Sequence, residues 1–286
     1  MSQKFTIQDF NAKYPDDNAC LEKFFKERYG SIKECPNCHK ATHFYRIKSR
    51  KCWECQFCAN QIHPLAGTIF HKSDTSLKNW FFAIFLFANS KNGVSAMELK
   101  RQIGVTYKTA WRMARQIRKL FEQPKTPLKN TVEIDETYMG GRKKQGQGGS
   151  KMKPVLGAVE RGSQVRAKAI TVKWTSTVMP FVRKNVDISA TVYTDSWSAY
   201  KQRLPRAGYS HDSVNHSRNE YVHGNVHTNT IEGFWSQLKR GIDGTYHHVS
   251  PYYLQTYVDE FAYRYNARFS PEPVFSSMVR QAARPF

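Results

Sequence analysis

The sequence predicts a mixed α/β protein: a small cysteine-held module and a helical region, followed by a larger α/β domain that carries a set of acidic side chains. Three observations support this. All six cysteines fall before residue 59, residues 76–121 are patterned at the helical period, and beyond Pro124 and Pro127 short β-patterned runs alternate with helical ones. A chain of 286 residues can bury a sizeable core. Its 44 Lys and Arg stand against 23 Asp and Glu, a formal charge of +21 spread along the whole chain. That excess calls for a polyanionic partner, with nucleic acid the first candidate and an anionic membrane surface the second. The longest apolar run, Trp80 to Ala88, is far short of the roughly 20 residues of a membrane span. The first residues carry no signal-peptide pattern. The expectation is a soluble, cytoplasmic, nucleoid-associated protein with no membrane partner.

Residues 1–30 read as an amino-terminal segment, helical over 7–30 and ended by Gly30. Residues 31–72 read as a ribbon. Cys35-Pro36-Asn37-Cys38 and Cys55-Gln56-Phe57-Cys58 are separated by a hairpin-sized spacer, and four thiolates so spaced suit one structural, tetrahedral Zn²⁺. Cys35, Cys38, Cys55 and Cys58 are the chosen ligands, with Cys52 in place of Cys55 left open; Cys20 reads as a core thiol. Residues 75–122 read as a helix-turn-helix region. An apolar helix over 76–90 is followed by a capping box of Ser95 with Glu98, a short helix closed by Gly104, and a second helix from Thr106 to Phe121. Ala110, Met113, Ala114 and Ile117 mark the inner face of that helix, and Lys108, Arg112, Arg115 and Lys119 the outer one. A basic helix face is ordinarily only solvated. Beside a zinc ribbon, in a chain of this charge, these four side chains are expected to contact DNA.

Residues 128–286 read as one further domain. Its β runs are 131–138 with Asp135, 154–159, and 167–173, followed by a helix at about 177–186 and a strand ending at Asp195. A meander, a helix, a further strand and a later carboxylate-bearing helix is the element order of the ribonuclease H-like fold. The loop holding Arg142, Lys143 and Lys144 lacks the ending of a P-loop and is expected to contact DNA. Residues 204–225 carry no clear period. In 227–240, Ile231, Phe234, Trp235 and Leu238 recur at i, i+3, i+4 and i+7, so this segment is a helix with one buried face. Glu232 and Lys239 project from another face, with Asn229 one turn before the Glu. A last helix is expected over 251–266.

Asp135, Asp195 and Glu232 are expected to converge. Taken singly, each has an ordinary explanation: a strand-end cap, an Asx-turn, surface charge. Together they suit two Mg²⁺ or Mn²⁺ ions, which prefer carboxylate oxygen and clamp an in-line displacement at a phosphodiester. Asn229 is then a neutral oxygen ligand or substrate contact, and Lys239 and Arg240 hold phosphates. Alternation along the first strand puts Glu133, Asp135 and Thr137 on one face and predicts that Glu136 points away from the metals.

The combined motifs resemble the DDE transposases of the ISXO-two-like (IS-fifteen-ninety-five) group of insertion sequences. The likeness runs through nearly the whole chain: the Cys-Pro-Asn-Cys ribbon, Gly67-Thr68-Ile69-Phe70 with Trp80-Phe81, Ile134-Asp135-Glu136-Thr137, Thr194-Asp195, and Asn229-Thr230-Ile231-Glu232-Gly233-Phe234-Trp235 through Lys239-Arg240. The resemblance implies Mg²⁺-dependent cutting and joining of double-stranded DNA at terminal inverted repeats and target, run by a ribonuclease H-like domain. Synapsis of two ends makes a homodimer or larger assembly on DNA the natural expectation. Two alternatives use the same features: a non-catalytic DNA-binding regulator derived from a transposase, and a structure-selective nuclease that cuts without joining.

Overall fold

The structure, a computed structural model, describes residues 5–140, 152–214 and 224–285. The chain forms two compact units. The first comprises residues 1–90, 94–120 and 271–286; the second comprises 91–93 and 121–270.

The first unit opens with two helices rather than the single segment expected over 7–30: α1 (Ile7–Lys13) and α2 (Asp17–Tyr29). Pro15 lies between them, and its ring cannot continue a helix. Thr6 and Asp9 form a capping box on α1, and Asp16 caps α2. A three-stranded antiparallel ribbon follows, β1 (Phe44–Ile47), β2 (Cys52–Cys55) and β3 (Gln61–Ile62). It docks on α2 through Phe25 and Trp53, whose rings stack with centroids 4.0 Å apart. Helix α3 (Leu77–Asn89) is enclosed, as its apolar circumference predicts, with Trp80, Phe81, Ile84 and Phe87 at most 1% exposed. Asp17 caps it from α2, accepting from the amides of Leu77 and Lys78 at 3.0 and 2.9 Å.

Helices α4 (Ala96–Ile103) and α5 (Tyr107–Arg118) are joined at Gly104, which adopts φ 69°. Ser95 and Thr106 cap them, accepting from Glu98 and Thr109 amides. The expected box at Ser95 is only half made, because the Glu98 carboxylate turns to Gln102 and Arg101. After the second unit the chain returns, and α10 (Val274–Ala282) packs on α2 and α3. Phe275 enters the aromatic cluster of Tyr14, Phe81 and Phe85. This final helix is absent from the sequence expectation, which kept 128–286 in one piece; its apolar side chains complete a core begun some 260 residues earlier.

The second unit is built on a five-stranded sheet. Strands β4 (Thr131–Met139), β5 (Lys153–Glu160) and β6 (Val165–Ala169) form an antiparallel meander. The chain then crosses through α6 (Thr175–Asn185) to β7 (Thr191–Asp195), and through α7 (Ser198–Arg206) to β8 (Ser210–Val214). Both late strands run parallel to β4, giving the order β6-β5-β4-β7-β8. Helix α7 and strand β8 arise where the sequence carries little hydrophobic period. Helices α8 (Asn229–Gly241) and α9 (Leu254–Asn266) complete the unit, joined through a π-helical turn, Ile242–Tyr246.

Both faces of the sheet are covered. Val132, Ile134, Leu156 and Ala158 pack with α6 and α7, while Val155, Val159, Ile231, Phe234 and Phe261 form the core beneath α8 and α9. The β6 edge is closed by side-chain amides that imitate a neighbouring strand. Asn266, Gln123 and Gln255 accept from the backbone amides of Val165, Ala167 and Ala169 at 2.7, 2.8 and 2.8 Å, so these edge groups are satisfied without another chain. Among the described residues no helix is long and apolar enough to cross a membrane.

Candidate metal centres and active site

The cysteines occupy two matching knuckles. In each, the residue after the second Cys takes a left-handed conformation, His39 at φ 56° and Ala59 at φ 54°. Each knuckle closes with the same pair of backbone bonds, from His39 to Cys35 and from Ala59 to Cys55, then from Cys35 to Lys40 and from Cys55 to Asn60. The sulfur atoms of Cys35, Cys38, Cys55 and Cys58 converge, with Cys35–Cys58 at 3.6 Å and Cys38–Cys55 at 3.8 Å. A tetrahedron with Zn–S bonds of about 2.3 Å has edges of about 3.8 Å, so the donor set fits zinc. Amides of Asn37 and Phe57 point at the Cys35 and Cys55 sulfurs. The Asn37 side-chain amide donates to Cys58 and holds its thiol below the ordinary range. Cys52 lies apart, buried and directed at Gln61, and Cys20 is buried in α2.

In the second unit, Asp135 and Asp195 each lie one residue past the last pair of parallel neighbours, Ile134 and Thr194; β7 ends at Asp195, whereas β4 continues to Met139. Glu136 joins them: one carboxylate oxygen from each of the three lies within 4.8 Å of the others. This corrects the expectation that Glu136 points away. Its side chain does leave the sheet on the face of Val132 and Ile134, where the Tyr200 hydroxyl donates to it at 3.2 Å. It nevertheless sits beyond the last residue paired with β7, so on that side of β4 no strand separates the two faces, while β5 still pairs on the other. Cis oxygens on an octahedral Mg²⁺ are about 3.0 Å apart and trans ones about 4.2 Å, from Mg–O bonds of about 2.1 Å, so the spacing is compatible with a shared divalent ion.

Burial pushes the Asp135 carboxyl up to about 6; the Trp235 indole, donating to it at 3.0 Å, opposes the shift, while the charges of Asp195 and Glu232 reinforce it. Trp235 reaches Asp135 because Gly157, the β5 partner of Asp135, has no side chain: a Cβ there would lie 2.5 Å from the indole. Asp195 also makes the Asx-turn of its ordinary explanation, accepting from the Trp197 amide at 3.1 Å. Its other oxygen is 4.0 Å from the Lys173 ammonium, which contacts Glu136 and lies over the Trp197 ring. Burial lowers the pKa of Lys173, and the charges of Asp195 and Asp135 oppose that.

Helix α8 is held on the sheet by a residue to which the sequence assigned no role. Glu133, fully buried, accepts from the amides of Thr230 and Ile231 at 2.8 and 3.0 Å, from the Thr230 hydroxyl, and from Arg161 at 2.6 Å. Arg161 also binds the carbonyls of Asn225 and His227, tying down the approach to the helix. Glu133 thus caps α8 from another strand. On the first turn, Glu232 is exposed and accepts from Thr228 at 2.9 Å. It lies outside the close carboxylate set, although its charge is felt at Asp135. Lys239 lines a depression with Tyr138, Asp243 and His248, and Asn229 and Arg240 line another. On α5, Lys108, Arg112, Arg115 and Lys119 are all exposed. Arg142, Lys143 and Lys144 fall outside the described residues.

Glu133, Arg161, Lys173 and Trp235 were therefore missed as site residues. The one available signal was Glu133 lying two residues before Asp135, on the same strand face.

The two parts of the chain match known domains separately. Residues 15–61 match the transposase zinc-ribbon domain, and residues 127–266 match the ISXO2-like transposase domain. The chain thus carries a transposase zinc-ribbon domain followed by an ISXO2-like transposase domain. It is 29% identical over 231 residues to an uncharacterized protein in transposable element ISH50 of Halobacterium salinarum, covering 72% of this chain and 76% of the relative. It is 28% identical over 91 residues to an uncharacterized transposase-like protein of Haemophilus influenzae, covering 32% of this chain and 72% of that protein.

Proposed function

We propose that this transposase cuts DNA at the terminal inverted repeats of its insertion sequence and joins the freed 3′ ends to target DNA, using two Mg²⁺ or Mn²⁺ ions. The observation that carries this reading is the meeting of Asp135, Glu136 and Asp195 where the pairing of β4 with β7 stops. Asp135 and Asp195 would hold the ions, with Glu232 and Asn229 arriving from α8 and Glu136 as an added carboxylate. When bound, such ions supply charge stabilisation to both the attacking and the leaving oxygen. Asp135, with its raised pKa, must give up its proton for that to happen. Glu133 and Arg161 set the position of α8, and Lys239 and Arg240 take up substrate phosphates.

The domain assignment follows the same line. An antiparallel meander followed by two parallel strands in the order β6-β5-β4-β7-β8 supports a ribonuclease H-like catalytic domain. Two capped helices around a left-handed Gly104 support a helix-turn-helix, with the exposed Lys108, Arg112, Arg115 and Lys119 facing DNA. The ribbon holds one structural Zn²⁺. The protein works as a homodimer or larger on double-stranded DNA, in the cytoplasm at the nucleoid.

The test is nicking of DNA carrying the element's ends. Mg²⁺-dependent nicking by the wild type, lost in Asp195→Asn with DNA binding preserved, is expected. Binding without nicking under any divalent ion would leave a DNA-binding regulator. Nicking with no joined product from a precut 3′-hydroxyl end and a target plasmid would leave a nuclease.

A further inference from the structure

Along α8, Asn229, Gly233, Gln237 and Arg240 fall on one stripe, and the centre of that stripe is bare. Gly233 is exposed, and a Cβ built there would meet nothing within 4 Å. The stripe forms one wall of a depression of about 500 Å³, completed by Lys91, Asn92, Tyr265 and Arg268. That is a volume in the range of ligand-binding clefts. Three cations line it, and none of its described lining residues is Asp or Glu.

One of those cations is anchored without any ligand. Arg268 donates to the Gln237 side-chain carbonyl at 2.7 Å, and its guanidinium lies over the Tyr265 ring at 4.9 Å. Both partners are neutral, so the positive charge is oriented but not cancelled. Lys91 belongs to a corner fixed by Gly93, at φ +90°, whose Cα side lies so close to the Tyr246 hydroxyl that a Cβ would fall 1.9 Å from it. Tyr246 in turn donates to both oxygens of the buried Glu260.

We infer that this groove binds the phosphodiester backbone of a DNA strand, and that Gly233 leaves α8 bare so that the strand can lie against it. The inference rests on the reading of the protein as a DNA-processing enzyme and adds a contact surface to it, distinct from the basic face of α5. The helix N-terminus plays no part, since Glu133 already occupies its amides. Arg240 and Arg268 contact phosphates, while Asn229, one turn before Glu232, marks the end of the groove nearest that residue.

The experiment measures binding of a fluorescent 30-base-pair duplex and its single strand by the zinc-loaded protein in magnesium-free buffer, across a salt series. Gly233→Glu is the decisive variant: the position is helical, exposed and open, and replacing Gly there favours the helix. It is expected to weaken binding at least tenfold with an unchanged or raised melting temperature. Arg240→Ala/Arg268→Ala is expected to flatten the slope of log K against log salt by about 2 on the duplex, at about 0.9 per phosphate contact. Wild-type affinity and salt slope retained in Gly233→Glu would overturn the groove assignment while leaving the functional reading intact. Absence of any DNA binding by the wild type would overturn both.

Discussion

Replacing Asp135 by Asn should stabilise the second unit in magnesium-free buffer at neutral pH while abolishing cleavage. The carboxyl is pushed from an ordinary 3.8 to about 6, chiefly by burial, so the folded protein holds an ionised group it would rather protonate. Unfolding relieves that. A shift of about two units corresponds to about 3 kcal/mol, present in full above the folded value. Because the folded pKa lies above the unfolded one, wild-type stability falls as pH rises from about 4 to about 6 and is flat beyond. Asparagine keeps an acceptor for the Trp235 indole and lacks the titration. The gain of Asp135→Asn should therefore be about 3 kcal/mol at pH 7.5 and shrink to about 1 kcal/mol at pH 4.5. Urea unfolding at the two pH values, in zinc-replete buffer without magnesium, measures it. Mg²⁺ at about 1,000 times its Kd should reverse the order, since it adds about 4.1 kcal/mol to the wild type alone. An Asn variant that is less stable at pH 7.5 without magnesium, or a difference that ignores pH, would refute the reasoning.

Glu133→Gln should cost about 3 kcal/mol, because Arg161 loses its counter-charge at a buried site and the Thr230 and Ile231 amides lose an ionised acceptor; faster hydrogen exchange at those two amides is the readout, and unchanged protection would argue against the cap. Cys58→Ser should release the zinc and unravel residues 35–62 while amides of β4 and β7 stay protected, whereas Cys52→Ser should retain one zinc per chain by metal analysis; the opposite pattern would reassign the ligands. Lys173→Met should tighten Mn²⁺ binding at pH 8 several-fold by paramagnetic resonance, because a cation already seated among Glu136 and Asp195 no longer competes; weaker binding would make Lys173 a support of the site instead. Gly157→Ala should cost about 1 to 3 kcal/mol and change Trp235 fluorescence, since its methyl falls 2.5 Å from the indole; a silent substitution would mean that the indole is not held there.

What the sequence determined by itself is local. Cysteine spacing identifies the two knuckles and favours Cys55, and the convergence of the four sulfurs with the repeated left-handed turns at His39 and Ala59 sets the alternative, Cys52, aside. The caps at Ser95 and Thr106, the turn at Gly104 and the apolar stripe of α8 all depend on neighbours within a few residues, and they were legible for that reason. Asp135 and Asp195 were legible as acids carried by β-patterned runs. Only the tertiary structure decided which other groups meet them. Alternation sends Glu136 to the far face, yet the pairing of β4 with β7 ends at Ile134 and Thr194, so its carboxylate passes round the strand end. Lys173, Glu133 with Arg161, and the return of Phe275 to the aromatic core likewise depend on residues tens to hundreds of positions away. Periodicity records which way a side chain leaves its own backbone. Where a neighbouring strand stops is a property of the register between distant segments, and that is where this site was built.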